Sequence, residues 1–429
     1  MSDEGRLTMS RTIKRRALVS IICAIVCMVS LILFYFFKQA HTMNSKDFTS
    51  ENQALAVQLS SQPTYSYFDL TPQTGYMVLA SPSGAIRAFR SGKMLSADPI
   101  WTTTGIFYGG EDSDFFTNDN GTKVLARDIK PQTEYARYPR DNGKGFMAFY
   151  GVGGTSEGYK QPVLIGDADK TESVDVRGGY MSMGACGDTL YAIAQTNHAP
   201  NLLDQAKAVY QKHTGVSDEA LAKIEHFDVL VQVYPANDPQ NPQVLESIPY
   251  DSSIKHAHKM YQRYNDSIYL LSFSEQQDEG HAVLEEWNLK EQTHRIIDVV
   301  NSDGSVIDMN AHDAGGEKGI LLGSKLYFVT RTGKVFSVDI TTGKAEHLYT
   351  FEILPHKGRY PLFDVTPYAV YRLDDGENDD STLDFTRYVF KTGEYEHLFN
   401  VDSLAAYRKD NARITGIAVN PKWEKSIEK

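Results

Sequence analysis

The chain has 429 residues, with 43 Lys and Arg against 55 Asp and Glu, and a net charge of −12. That balance opposes sequence-independent attraction to nucleic acid or to anionic lipid surfaces, so no nucleic-acid partner is expected. Of three cysteines only Cys186 lies beyond the first forty residues, so no intrachain disulfide supports the long C-terminal portion and ordinary core packing must hold it.

Residues 1–16 form a short tail that carries Arg6, Arg11, Lys14, Arg15 and Arg16. Ala17 to Phe37 follow without one charge. At about 1.5 Å per residue that run reaches roughly 30 Å, the thickness of a bilayer's hydrocarbon core, so it is expected to span as one helix. Basic residues stay on the cytoplasmic side. The expectation is therefore a single-pass protein of the cell membrane with its N-terminus cytoplasmic and everything after Lys38 extracytoplasmic. A cleaved signal peptide has a shorter apolar region of about 7–15 residues and a small-residue exit. Here Lys38-Gln39-Ala40 places lysine where a small residue is needed, and Cys23 and Cys27 follow Ile22 and Val26, not the small residue of a lipid-anchoring motif. The run reads as an uncleaved signal anchor. Beyond it, 38 basic residues face 53 acidic ones, close to −15.

Residues 38–62 are polar, with Lys46, Asp47, Ser50, Glu51 and Asn52, and read as a juxtamembrane stalk. From 63 to 420 short runs rich in Tyr, Val, Ile and Phe alternate with turn signals such as Asn120-Gly121, Asn142-Gly143, Asp303-Gly304 and Asp375-Gly376, the pattern of an all-β domain. Residues 421–429 are left as a tail.

Internal repetition sharpens this. Phe68-Asp69-Leu70-Thr71-Pro72 returns as Phe363-Asp364-Val365-Thr366-Pro367, 295 residues later, or six steps of about 49, which implies seven units. Gly343-Lys344-Ala345-Glu346-His347-Leu348-Tyr349 is echoed by Gly393-Glu394-Tyr395-Glu396-His397-Leu398-Phe399, and Trp287-Asn288-Leu289 precedes Phe336-Ser337-Val338 by a similar interval. A turn followed by an aliphatic-Tyr strand occurs at Tyr191, Tyr269 and Tyr327. The interval from Tyr191 to Tyr269 is too wide for one unit, but His198 to His226 holds Leu202, Leu203, Ala206, Val209, Tyr210, Leu221 and Ile224 at helical spacing. Residues 198–226 are expected to be a helical insertion, a helix pair on one face of the domain, whose removal restores the period.

On these repeats the chain resembles the β-propeller class, in which four-stranded blades of about 40–50 residues pack face to face around a channel. The strand and Asp-x-x-Thr-Gly turn at Asp339 to Gly343 add to the resemblance. It implies an all-β, seven-bladed propeller. Ring closure would draw on Ala54 to Leu59, Ile414 to Val419, or both, since an open ring leaves two sheet edges exposed. The competing architecture is a β-sandwich pair. Trp-Asp blade ends, a repeated kelch double glycine and a tryptophan docking motif are all missing, so no subfamily's activity carries over.

Two acidic runs present oxygen ligands. Asp374, Asp375, Glu377, Asp379 and Asp380 surround Gly376 and Asn378 between two expected strands, where they would hold Ca²⁺ or form a solvated hairpin tip. Glu111, Asp112 and Asp114, followed by Asn118 and Asp119, form a second such run. His256 and His258, two apart, share one face of a strand, and His312-Asp313 lies in a glycine-rich stretch. Brought together at a channel mouth, these four would ligate a metal or supply a general base. Gly-x-Ser-x-Gly elbows and phosphate-cradling loops are absent, and no basic neighbour adjoins Cys186. Asn120-Gly121-Thr122 and Asn265-Asp266-Ser267 are glycosylation sequons that suit hairpin turns equally well. The 25 tyrosines would serve a glycan-stacking surface or, more simply, β cores.

The sequence reads as a membrane-anchored binding or scaffolding propeller for a protein or cell-envelope partner, with no assigned cofactor. The alternative is an extracytoplasmic hydrolase or lyase acting on a sugar or lactone, which requires His256, His258, His312 and Asp313 to converge. In the binding reading, deletion of 198–226 removes partner capture and leaves thermal unfolding intact.

Overall fold

The computed structural model describes residues 41–61, 74–96, 98–131, 133–141, 143–152, 154–155, 158–159, 161–176, 179–238, 241–276, 279–309, 318–353, 360–374, 381–408 and 412–428. At 154–155, 158–159, 181, 257–260, 276 and 279 it describes the main chain alone. Ala17 to Phe37 lies outside these residues; among those described, no helix is long and apolar enough to cross a membrane.

From Thr42 onward the chain forms one compact unit built of seven four-stranded antiparallel sheets. The fold is a seven-bladed β-propeller. Blades 2 to 7 each run outward in chain order from an inner strand: Ile100–Trp101, Thr133–Pro139, Tyr180–Cys186, Ile254–Tyr264, Lys318–Leu322 and Leu362–Val365. Blade 1 takes its inner strand from the other end of the chain. Ala412–Val419 pairs with Leu55–Ser61, which is followed outward by Gly75–Ala80 and Ile86–Arg90. Both sequence runs proposed for closure are used, side by side.

Strand periodicity explains why blades need one another. In Thr189–Gln195 of blade 4, Leu190, Ala192 and Ala194 enter a core with Phe149 and Val163 of blade 3, whereas Tyr191 and Ile193 enter another with Tyr261 and Ile268 of blade 5. Alternate side chains point to opposite faces, so one strand feeds two interfaces and neither face can be left to water. The aliphatic-Tyr signature marks this second strand in three blades: Tyr191, Tyr269 and Tyr327 each follow the turn from the inner strand by the same interval.

Two repeats behave differently. His347 and His397 occupy matching outer strands, Ala345–Thr350 and Tyr395–Val401. Phe363, however, lies on the inner strand of blade 7, while Phe68 to Pro72 lies outside the described residues, in the connection 62–74 between the second and third strands of blade 1. The count of seven drawn from that pair agrees with the seven four-stranded sheets. Trp287 and Phe336 share a third strand but are offset by two residues, since Asn288 opposes Ser267 as Asp339 opposes Lys325.

The boundaries assigned from sequence also move. The stalk is folded onto the propeller from Met43: Met43 N donates to Ala88 O at 2.8 Å, Thr122 N donates to Ser45 O at 2.7 Å, and the buried Phe48 ring stacks on Phe89. The C-terminal tail contains a helix, Pro421–Ile427, begun by Asn420, whose side chain accepts from Lys422 N and Trp423 N, with Pro421 in the first turn.

Within residues 198–226 the helical spacing corresponds to one 3₁₀ turn and two helices. A 3₁₀ turn Pro200–Leu202 leads into α1 (Leu203–Thr214) and the short α2 (Asp218–Leu221), between the second and third strands of blade 4. The insertion does not stand free on a face. It packs on the outer strand Gln243–Pro249, where Ser247 Oγ donates to Ala206 O at 2.7 Å and His213 Nδ1 lies 3.0 Å from Glu246 Oε1. Leu202 and Ala206 are fully buried in the core with Phe227 and Val244. Deletion would uncover that core, so the expectation of unchanged unfolding is corrected. Leu202→Ala should cost about 2–5 kcal/mol in urea unfolding, the usual range for an emptied core site; a cost near zero would mean that the insertion is not welded to blade 4.

Candidate functional site in the channel

Inner strands of neighbouring blades converge on a central channel and, with Asp98 and Pro99 ahead of blade 2, line a cavity of about 400 Å³. Every blade contributes to its wall, through Trp101, Tyr138, Ala185, Gln262, Lys318, Asp364 and Val419 in blades 2 to 7 and 1. Helix Pro421–Ile427 adds Pro421 and Glu424.

Lys318 holds this wall together. Its ammonium donates to Asp98 Oδ1 at 3.1 Å, Asp364 Oδ1 at 3.4 Å and Ile417 O at 3.0 Å, so one side chain of blade 6 reaches blade 7, blade 1 and the entry to blade 2. Three acceptors exhaust the three protons of an ammonium. Burial works against its charge, yet Asp98 and Asp364 raise its pKa above that of an ordinary lysine. Lys318 is therefore a charged brace without a free proton to give.

The carboxylates are less well served. Asp364 Oδ2 accepts from Val419 N at 2.9 Å, but burial first and Asp98 next push its carboxyl above the usual range despite Lys318. Glu424 is 2 % exposed and accepts from the Thr366 hydroxyl; burial, Asp364 and Glu428 likewise push it up. The cavity thus sets three carboxylates against one ammonium. Arg137 also borders it, but its charge is met by Glu134 and Asp114 between blades 2 and 3, with its guanidinium carbon 4.5 Å from the Phe146 ring centre.

The residues singled out from sequence lie elsewhere. His256 is on the inner strand of blade 5 but 4 % exposed, its Nδ1 2.7 Å from Glu285 Oε1 and its Nε2 3.8 Å from Asp228 Oδ2. Ser272 adds a hydroxyl to Glu285, and His294 Nε2 lies 3.4 Å from Glu285 Oε2 with its ring against Trp287. This is a buried clamp between blades 4 and 5. A protonated imidazole between two carboxylates is already spent as a base. The side chain of His258, and His312 and Asp313 entirely, fall outside the described residues.

Asp374 ends the second strand of blade 7 and accepts from Arg372 Nη2 at 2.6 Å; Asp375, Glu377, Asp379 and Asp380 lie outside the described residues. Asp114, from the other acidic run, is the buried partner of Arg127 and Arg137. Among the described residues no group of three or more His, Cys, Asp or Glu is arranged to hold a metal ion. Burial pushes the Cys186 thiol up to about 12, which leaves it unreactive at neutral pH. Lys318 and Glu424 were missed because their partners lie 46 to 220 residues away in the chain, on other blades or at the entry to one.

No protein-family model matches the chain, and no curated protein matches it. Solved structures do. The β-propeller domain of the Trilobed protease from Pyrococcus furiosus is similar at 11 % identity and a TM-score of 0.42, over 80 % of this chain and 94 % of that one. Apo AztD from Citrobacter koseri is similar at 9 % identity and a TM-score of 0.43, over 86 % and 98 %. A puromycin-hydrolysing peptidase of Mycobacterium tuberculosis is similar at 11 % identity and a TM-score of 0.42, over 86 % of this chain and 56 % of that one.

Proposed function

We propose that the chain is a membrane-anchored, extracytoplasmic propeller that docks a protein or cell-envelope component. The anchor is the uncharged run Ala17 to Phe37 with its basic flank. The observation that carries the docking reading is the asymmetry of the connections. At the end of the ring where inner strands finish, the turns into the second strands are short: 187–188, 265–266, 323–324 and 366–368. The opposite end has short turns too, such as 110–112 and 277–278, but it also holds the longest connections: 62–74, 152–162, 196–226, 299–317, 351–361 and 374–382. A rigid ring that gathers its longer loops at one end is built as a recognition face, because binding residues concentrate on loops held by a stiff scaffold.

The test is capture of envelope components by the full chain in detergent. Charge reversal of the exposed Lys212 and Lys223 of the insertion, Lys212→Glu with Lys223→Glu, should weaken capture several-fold while the unfolding midpoint stays within the small range typical of surface substitutions. Equal capture by wild type and variant would remove the insertion from the docking face. Absence of any specific partner under membrane-preserving conditions would overturn the reading.

A further inference from the structure

We propose that the channel cavity binds a small organic cation, a primary amine or diamine. The cavity is enclosed by all seven blades at about 400 Å³, a size suited to a small molecule and too small for a folded partner. Its charge is weighted toward carboxylates, although among the described residues Arg137 Nη1 and the Tyr261 hydroxyl, both of lining residues, take no hydrogen-bond partner. Lys318 has no proton left, and the Tyr138 hydroxyl already donates to Met183 O at 2.7 Å. An incoming anion would meet carboxylates and an exhausted ammonium. An incoming ammonium meets acceptors: Asp98 Oδ2 takes no hydrogen bond among the described residues, and Asp364 and Glu424 are two further carboxylates on the same wall.

The apolar part of the wall suits the same ligand. Trp101, Pro99, Pro139 and Pro421 offer an aromatic face and ring methylenes beside the carboxylates, and an ammonium over an aromatic face is favoured, more so where water is excluded. A divalent metal is a poorer occupant, since these carboxylates form no ligand cage. The two carboxyls that burial and mutual repulsion push upward would be relieved by a second positive charge. Binding should therefore strengthen from pH 5 to pH 7.5, as carboxyl protons are lost.

The experiment is calorimetric titration of the full chain in detergent with putrescine at pH 7.5, alongside citrate and sodium chloride at matched ionic strength. Saturable one-to-one binding of putrescine, none of citrate, and a rise in unfolding temperature with putrescine are expected. Asp98→Asn should weaken putrescine at least tenfold, and Glu424→Gln, which keeps the shape of the side chain, should do so as well if the first variant fails to fold. Asp169→Asn, an exposed control, should not. Absence of saturable binding up to 10 mM, preference for citrate, or equal affinity in a folded channel variant would each overturn the proposal. Because partner capture is read separately, failure here leaves the docking reading standing, and the reverse.

Discussion

Arg137→Met is expected to lower stability by about 3–5 kcal/mol, seen as a fall in the urea midpoint with an unchanged slope. Arg137 donates from Nε to Glu134 Oε1 at 3.0 Å and from Nη2 to Glu134 Oε2 at 2.8 Å, to the Tyr150 hydroxyl at 2.6 Å and to Asp114. Tyr150 donates in turn to Asp114 Oδ1 at 2.7 Å, and Arg127 Nη1 donates to Asp114 Oδ2 at 3.0 Å. The charged side chains of Arg127, Arg137, Asp114 and Glu134 are wholly inaccessible to water. Asp114 belongs to blade 2 and the Glu134–Arg137 pair to blade 3, so the network rivets two sheets together. Methionine would keep much of the volume but strand Glu134, which cannot reach solvent, and leave Asp114 to Arg127 and Tyr150. Adding Glu134→Gln to the variant should recover part of the loss. Lys123→Met, which removes an exposed pair with Asp169, should cost less than about 1 kcal/mol. A loss at Arg137 no larger than at Lys123 would show that the network is not sealed from water.

His256→Ala should cost a similar 3–5 kcal/mol, and the cost should depend on pH in a defined window. Burial alone would lower the pKa of His256, but Glu285 and Asp228 more than reverse it and hold it up at about 10, against an ordinary 6.5. A raised folded pKa means that this stabilisation is complete below about pH 6.5 and is lost as pH climbs toward 10. Burial disfavours the Glu285 charge, yet His256 and His294 hold its carboxyl well below the ordinary 4.5, so the same clamp is complete above pH 4.5 and weakens in stronger acid. The difference between wild type and variant should peak between pH 4.5 and 6.5 and shrink on either side. Urea unfolding of both proteins from pH 4 to 10 measures it. A difference that grows toward pH 10 would show that the buried imidazole is neutral.

What could be read from the residues in advance was what repeats locally. The Tyr191, Tyr269 and Tyr327 strands follow their turns at one interval because the second strand of a blade must bury both faces, and the 198–226 interruption stood out because its spacing changed from strand to helix. Contacts that join distant segments left no such trace. Phe68 to Pro72 resembles Phe363 to Pro367 letter for letter in four of five places, but only the second copy falls within the described residues, where Phe363 lies on the inner strand of blade 7. His256 was noticed, but as a candidate ligand or base; its actual role depends on Asp228 in one blade and Glu285 in another, which no spacing reveals. Arg137 and Lys318 were overlooked for the same reason, since a cation that braces several sheets looks in sequence like any surface charge. The polar stalk was misjudged because Phe48 and Met43 are isolated apolar residues whose burial is supplied by blades 1 and 2.

The pairing of Leu55–Ser61 with Ala412–Val419 makes closure of the ring wait until residues 412–419 have been made. A chain released before residue 412 would keep three outer strands of blade 1, but Leu55, Ala56, Val57 and Leu59, all fully buried in the finished ring, would sit on an unpaired edge. Such edges invite aggregation and surveillance by chaperones and proteases. Chains that stop short of 412 thus advertise themselves, and chains that reach 419 conceal the signal by zipping Ala412–Val419 beside Leu55–Ser61.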